Sequence, residues 1–182
     1  MTWPGQTVIN SVPYTISQSG SYVLNKDLLY TSPTGTAITI TSGNVTLDFA
    51  GHLLDGLGGG PGTIAAGVQI GSDNDPSTYS NVTIKNGTIV GFSIGITLYG
   101  GAGHVIQGMR LERQTVGSGG FAAGYAIFNL ASGCLFSNNY ITNCNGDIAD
   151  LGYYTQIIRN RIFNCPTVGI ICSSAYIESN LV

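Results

Sequence analysis

The sequence predicts an all-β chain folded as a parallel β-solenoid of about five to six coils. One observation is an internal repeat, because the segment Asn-Val-Thr-Ile-Lys-Asn-Gly at 81–87 is echoed at 134–141, 156–162 and 176–182. Another is a recurrence of apolar residues every 20 to 30 residues or so, about the length of one solenoid coil. A third is the short alternation of apolar and polar residues in runs rich in Val, Ile and Thr, which is typical of strands.

The apolar recurrence forms two columns that agree on the number of coils. One column contains Ile84, Ile106, Phe136, Ile157 and Ile177, and the other contains Ile38, Val68, Ile96, Ile127, Ile148 and Ile170. Where the spacing lengthens, the extra residues are mostly Gly, Ser, Pro and Thr, as at 56–63, 71–78 and 115–120. We therefore expect short parallel strands joined by tight corners, with insertions leaving as loops.

Asparagine recurs at the expected corners. Asn139, Asn160 and Asn180 share one register, and Asn143 and Asn164 share another. Asn tolerates the left-handed backbone of a tight turn, and its side-chain amide can bond to a neighbour one strand away. These residues predict ladders of stacked amides with a structural role.

The repeats resemble the right-handed, single-stranded parallel β-helix proteins related to pectate lyases, polygalacturonases and phage tailspikes. The resemblance covers residues 37–182, and Asn-Val-Thr-Leu-Asp-Phe-Ala-Gly-His-Leu-Leu-Asp-Gly at 44–56 looks like a first full coil. It implies a right-handed helix at 37–182, an N-terminal cap at 1–36, and a ligand groove floored by a sheet. The calcium-binding aspartates and paired catalytic aspartates of those enzymes have no counterpart here.

The composition limits the classes of binding partner that we expect. Only 8% of the 182 residues are charged, the formal net charge is −3, and 43% are hydrophobic. So few cations argue against binding to a nucleic-acid backbone. The sequence has no run of about 18 apolar residues, so membrane insertion is not predicted. The neutral, hydroxyl-rich and amide-rich composition is typical of solenoids and of extracellular or virion-associated proteins that contact sugars, and these readings stay open.

Candidate catalytic residues are Asp147, Asp150 and Tyr153, within Asn-Gly-Asp-Ile-Ala-Asp-Leu-Gly-Tyr-Tyr. Two carboxylates beside tyrosines would allow acid–base cleavage of a sugar, which would make the chain a glycoside hydrolase or polysaccharide lyase. The alternative is that both aspartates close turns. Candidate ligand-binding residues are Gln69, Thr97 and Phe128, which share an outward column, together with Tyr154.

Metals and thiols offer weaker signals. Asp73 and Asp75 could bind calcium, although a plain Asx-turn loop is the favoured explanation, and no other cofactor or metal site is indicated. Cys144 and Cys165 lie one coil apart in matching contexts, which predicts stacked thiols or, with poorer geometry, a disulfide.

Two functional classes follow. One is a module that binds or processes a polysaccharide, and the other is a non-catalytic structural or assembly solenoid of a phage fibre or surface adhesin. The last repeat, Tyr-Ile-Glu-Ser-Asn-Leu-Val at 176–182, has no covering segment in this sequence. An uncovered parallel edge predicts a homo-oligomer or a continuing solenoid.

Overall fold

The computed structural model describes residues 5–72, 79–115, 124–167 and 169–182, and within them the chain is all-β. A single short 3₁₀ turn, Leu57–Gly59, lies in the predicted insertion at 56–63, and the described residues contain no α-helix. The strands are β1 Gln6–Ile9, β2 Tyr14–Ile16, β3 Gly20–Leu24, β4 Leu28–Leu29, β5 Thr36–Ile40, β6 Val45–Asp48, β7 Leu53–Asp55, β8 Ala66–Ile70, β9 Val82–Val90, β10 Ile94–Leu98, β11 Val105–Glu112, β12 Tyr125–Asn129, β13 Leu135–Ser137, β14 Tyr140–Thr142, β15 Gly146–Ile158, β16 Arg161–Phe163 and β17 Ile170–Glu178.

All the strand pairs among the described residues are parallel, and the strands wrap into a nearly closed, solenoid-like sheet. They fall into three stacks. Stack A contains β1, β3, β6, β13 and parts of β9, β11, β15 and β17. Stack B contains β2, β5, β8, β10, β12 and the first parts of β15 and β17. Stack C contains β4, β7, β14, β16 and the ends of β9 and β11.

The predicted columns are confirmed residue by residue. In stack A, Ile84 pairs with Ile106, which is followed by Phe136, Ile157 and Ile177. In stack B, the pairing runs from Ile38 through Val68, Ile96, Ile127, Ile148 and Ile170. Except for Ile177 in the last layer, these side chains form or pack against one continuous apolar core between the stacks, because each strand must bury its inner face against the other two.

The strands nearest the N-terminus pair in the same way. Strand β1 pairs in parallel with β3, β2 with β5, β3 with β6, and β4 with β7. The boundary at 36/37 between a cap and a solenoid stays a prediction.

The predicted ladder of Asn139, Asn160 and Asn180 is confirmed. The Asn139 side-chain amide donates to Asn160 Oδ1 at 3.0 Å, and the Asn160 amide donates to Asn180 Oδ1 at 3.0 Å. The left-handed backbone lies one residue earlier than expected, at Asn138, Arg159 and Ser179. The ladder residues therefore turn their amides inward, where the amides bond both to one another and to backbone groups.

Candidate functional site

The predicted catalytic aspartates lie in the interior of the solenoid. Asp150 on β15 is completely buried, and its Oδ1 accepts hydrogen bonds from Asn129 Nδ2 at 2.6 Å and from Thr155 Oγ1 at 3.1 Å. Asp147 is also buried. A carboxylate in this position does not reach a polymer lying on the outer surface, and the catalytic role of Asp147, Asp150 and Tyr153 stays a prediction.

The electrostatics of Asp147 differ from those of Asp150. Neither carboxylate oxygen of Asp147 has a hydrogen-bond partner among the described residues. Burial, together with the neighbouring Cys165 thiol, raises the pKa of Asp147 to about 9. Asp147 is therefore a neutral carboxylic acid at pH 7, because the charged form would be desolvated without compensation.

The outward column of candidate ligand residues is present in stack B. Gln69 pairs with Thr97, and Thr97 pairs with Phe128. Thr97 is buried, and the Gln69 amide accepts from Thr36 Oγ1 and donates to the Gly71 carbonyl. Tyr154 lies outside this column, at the corner between the B and A parts of β15.

That corner carries an unusual tyrosine. Tyr154 has a φ of 60°, and the equivalent residues in the layers below are Asn44, Asn81, Gly103 and Gly133, all with positive φ. A bulky side chain in the left-handed region costs about 1 kcal/mol or more, whereas Gly avoids this cost and Asn tolerates it better. Tyr154 is nevertheless 80% exposed, so it gains little from packing in return.

An open groove of about 510 Å³ lies beside this corner. Tyr154, Gln156, Ser174 and Tyr176 line it, and Gln156 and Tyr176 are register partners on β15 and β17. The ring of Tyr153 lies 6.5 Å from that of Tyr154, between centroids. Three exposed tyrosine rings, an amide and a hydroxyl therefore meet at one place on the outer surface.

The groove has little charge of its own. Glu178 lies next to it and accepts a hydrogen bond from the Tyr176 hydroxyl at 3.2 Å. The Glu178 carboxylate raises the pKa of Tyr176, because ionising the hydroxyl would place two negative charges side by side.

Tyr176 and Gln156 were missed at the sequence level, although a signal existed. Each residue directly precedes a member of the inner column, Ile177 or Ile157, and side chains alternate along a strand. The outward column that precedes the inner one therefore contains both. The predicted ligand residues Gln69, Thr97 and Phe128 instead each follow a member of an inner column.

A second aromatic surface lies on stack C. The Arg110 guanidinium lies 4.7 Å from the ring centroid of Tyr140, and the ring of Tyr140 lies 5.8 Å from that of Phe163. Arg110 also pairs with Glu112. These groups bond to one another, so they offer fewer free donors and ring faces than the tyrosine groove.

The described residues contain no cluster of three or more His, Cys, Asp or Glu that could hold a metal ion. Asp73 and Asp75, the candidate calcium ligands, lie outside the described residues. Within the described residues, no helix has the length and apolar character needed to cross a membrane.

No protein-family model, curated protein or solved structure matches the chain. The resemblance to β-helix proteins therefore rests on the repeats and on the parallel, solenoid-like sheet.

Proposed function

We propose that the chain is a glycan-binding module, and that the groove beside Tyr154 holds the sugar. The observation that carries this proposal is Tyr154 itself, an 80% exposed tyrosine at a left-handed corner that holds Asn or Gly in the four layers directly below. Strained and exposed residues that packing does not reward are concentrated at functional sites. A role in ligand contact accounts for both the strain and the exposure.

The chemistry of the groove fits a sugar. Tyrosine combines an apolar ring face, which packs on the C–H face of a pyranose, with a hydroxyl that hydrogen-bonds. Gln156 and Ser174 add an amide and a hydroxyl, which match sugar hydroxyls as both donors and acceptors. With Glu178 as the nearby charge, a neutral glycan fits better than a strongly anionic one.

We also propose that the solenoid is a right-handed parallel β-helix of about five to six coils. The in-register parallel stacks and the order in which the chain visits them, B then A then C, support it. A secreted or virion-associated location fits the small charged fraction of 8%.

Binding to a panel of neutral and acidic oligosaccharides, measured by isothermal titration calorimetry, tests this function. Removing one stacking ring should weaken binding of a neutral oligosaccharide by about tenfold, or about 1.4 kcal/mol, in both Tyr154→Ala and Tyr176→Ala. Tyr140→Ala is the matched control, since this tyrosine lies on stack C, and its affinity should be unchanged. If all three variants bound the oligosaccharide with equal affinity, the groove would not be the binding site.

The same incubations, followed by chromatography of the products with and without calcium, distinguish binding from turnover. We expect the polymers to stay intact. Shortened products that disappear in Asp150→Asn would instead establish a hydrolase or lyase that uses the buried carboxylates.

A second candidate function, assembly, is favoured by a separate observation. Ile177 belongs to the inner column, yet it is 47% exposed, whereas its partner Ile157 one layer below is 0% exposed. An inner residue on an open parallel edge is suited to pairing with another β layer. We propose that a second copy covers β17. Sedimentation velocity should then show an association that depends on concentration and is lost in Ile177→Lys, and a monomer at all concentrations would contradict it.

A further inference from the structure

Two cysteines and a carboxyl group meet inside the upper part of the solenoid. Thr142 pairs with Phe163, and the Asn143 amide donates to the Phe163 carbonyl, so Cys144 and Cys165 occupy equivalent positions on adjacent layers. Both cysteines are free thiols. Cys144 is buried, whereas Cys165 is half-buried and can be reached from solvent.

Asp147 is an unusual residue type for its position in stack B. Gly146 pairs with Tyr125 and Ile148 pairs with Ile127, which puts Asp147 over Ala126. The same position in lower layers is occupied by Ala37, Gly67 and Gly95, all buried and none with a polar side chain. A partnerless carboxyl group in a column of Ala and Gly gives no evident gain in stability.

A cleft of about 350 Å³ lies on the outside of this corner, next to the pair. Cys144, Asn145 and Pro166, the neighbour of Cys165, are among the residues that line it. The cleft is large enough for a small organic molecule but not for a polymer.

We propose that Cys165 is a covalent modification site for small, uncharged, soft electrophiles, with Cys144 and Asp147 as the groups that position and activate its sulfur. In the modification step the Cys165 thiolate forms a bond to carbon. A leaving group departs with its electron pair, or, with an α,β-unsaturated carbonyl compound, the α-carbon takes up a proton.

The electrostatics of the cluster support this role. The Cys144 thiol beside it holds the pKa of Cys165 at about 6, below that of an ordinary thiol, and the neutral Asp147 carboxyl also lowers it. The pKa of Cys144 is correspondingly raised. Hydrogen-bond donors beside a sulfur favour its thiolate form, and Cys144 and Asp147 are both protonated.

Alkylation of the folded chain by iodoacetamide, followed by peptide mass spectrometry at each pH, tests the proposal. Cys172, a half-buried cysteine on stack B, is an internal control within the same molecule. At pH 6 we expect Cys165 to react about tenfold faster than Cys172, after allowing for the lower nucleophilicity of a more acidic thiol. The pH profile of Cys165 should have its midpoint below pH 7.

Two variants assign the activation. Asp147→Ala places in this column the residue that Ala37 and Ala126 already provide, so we expect it to fold. Asp147→Ala and Cys144→Ala should each move the midpoint of the Cys165 alkylation profile upward by at least one pH unit. Equal rates and equal midpoints for Cys165 and Cys172 would overturn the proposal, and so would a Cys165 profile that neither variant changes.

Discussion

The lower and upper layers of this solenoid share one backbone plan but fill the interior differently. In one inner column of stack B the lower layers carry Ile40, Ile70 and Leu98, and the next two carry Asn129 and Asp150. In stack A a similar change leads from Val45 and Val82 to His104, Cys134 and Thr155, all buried. The lower interior is held by apolar packing, and the upper interior is held partly by hydrogen bonds.

Most polar groups of the upper interior are tolerated because they hydrogen-bond to one another or to the backbone, and Asp147 is an exception. Asn129 donates to Asp150 and accepts from the Ala131 amide at 2.9 Å, while Thr155 donates to Asp150. His104 accepts from the Val82 amide at Nδ1, which leaves Nε2 to donate to the Gly100 carbonyl at 2.9 Å. A polar side chain therefore fits this core without a cost in stability only where its neighbours in adjacent layers or the nearby backbone hydrogen-bond to it.

The largest expected effect comes from placing an amide in the lower interior. Ile70→Asn should lower the free energy of unfolding by about 4 kcal/mol, because it removes a buried side chain and leaves an amide between Ile40 and Leu98 without a partner. Asp150→Asn in the same column should cost about 1 kcal/mol or less, since its oxygen keeps the same donors. Urea denaturation compares the two, and equal losses would contradict the division into two kinds of interior.

Breaking the asparagine ladder should have the next largest effect. Asn160→Ala removes the acceptor of the Asn139 backbone and side-chain amides and the donor to the Phe136 carbonyl, all of them buried. We expect a loss of about 3 kcal/mol in urea denaturation. Asn138→Gly, an exposed neighbour with a φ of 55°, is the control and should change stability by no more than about 0.5 kcal/mol. A similar loss in both variants would show that the turn backbone, rather than the ladder, matters.

The stacks and their registers could be predicted because the apolar columns repeat with little ambiguity. Ile38 through Ile170 line up as the spacing indicated. The site was harder, because a carboxylate such as Asp150 has the same sequence pattern whether it points into the core or toward solvent. Its direction depends on Asn129, the inner residue one layer below, which the sequence alone would place in a turn. Tyr154 could be named from sequence, but its groove depends on Tyr176, a partner on another layer.

Removing the buried carboxyl group of Asp147 should stabilise the chain. Asp147→Ala should raise the free energy of unfolding at pH 7 by about 2 kcal/mol, because the lower layers hold Ala or Gly at this position. The pKa of Asp147 is about 9 in the folded chain and about 4 in an unfolded one, so folding takes up a proton between these values. Stability from this source therefore falls as pH rises.

The pH dependence gives this prediction a sharper test. Above pH 6 the lowered pKa of Cys165, about 6, acts in the opposite direction, because the folded thiol has lost a proton that the unfolded thiol keeps. The advantage of Asp147→Ala should therefore grow mainly between about pH 4 and pH 6, by at most about 1.4 kcal/mol per pH unit. Urea denaturation at pH 4, 5, 6 and 7 measures it, and a constant difference would mean that Asp147 is ionised in the folded chain.

The smallest expected change in stability is at Tyr154. A substitution there distinguishes the cost of its left-handed backbone from the role of its ring in ligand binding. Tyr154→Gly restores the residue type of Gly103 and Gly133 at this corner, so relief of the left-handed backbone should offset the extra flexibility of the unfolded chain. Stability should rise by about 0.5 kcal/mol, or stay level, while glycan affinity falls about tenfold. Arg159→Gly, at another left-handed corner with a φ of 56°, is matched for strain and should leave affinity unchanged. If Tyr154→Gly lost stability instead, the ring would be part of the packing of this layer, and its exposure would no longer indicate a ligand.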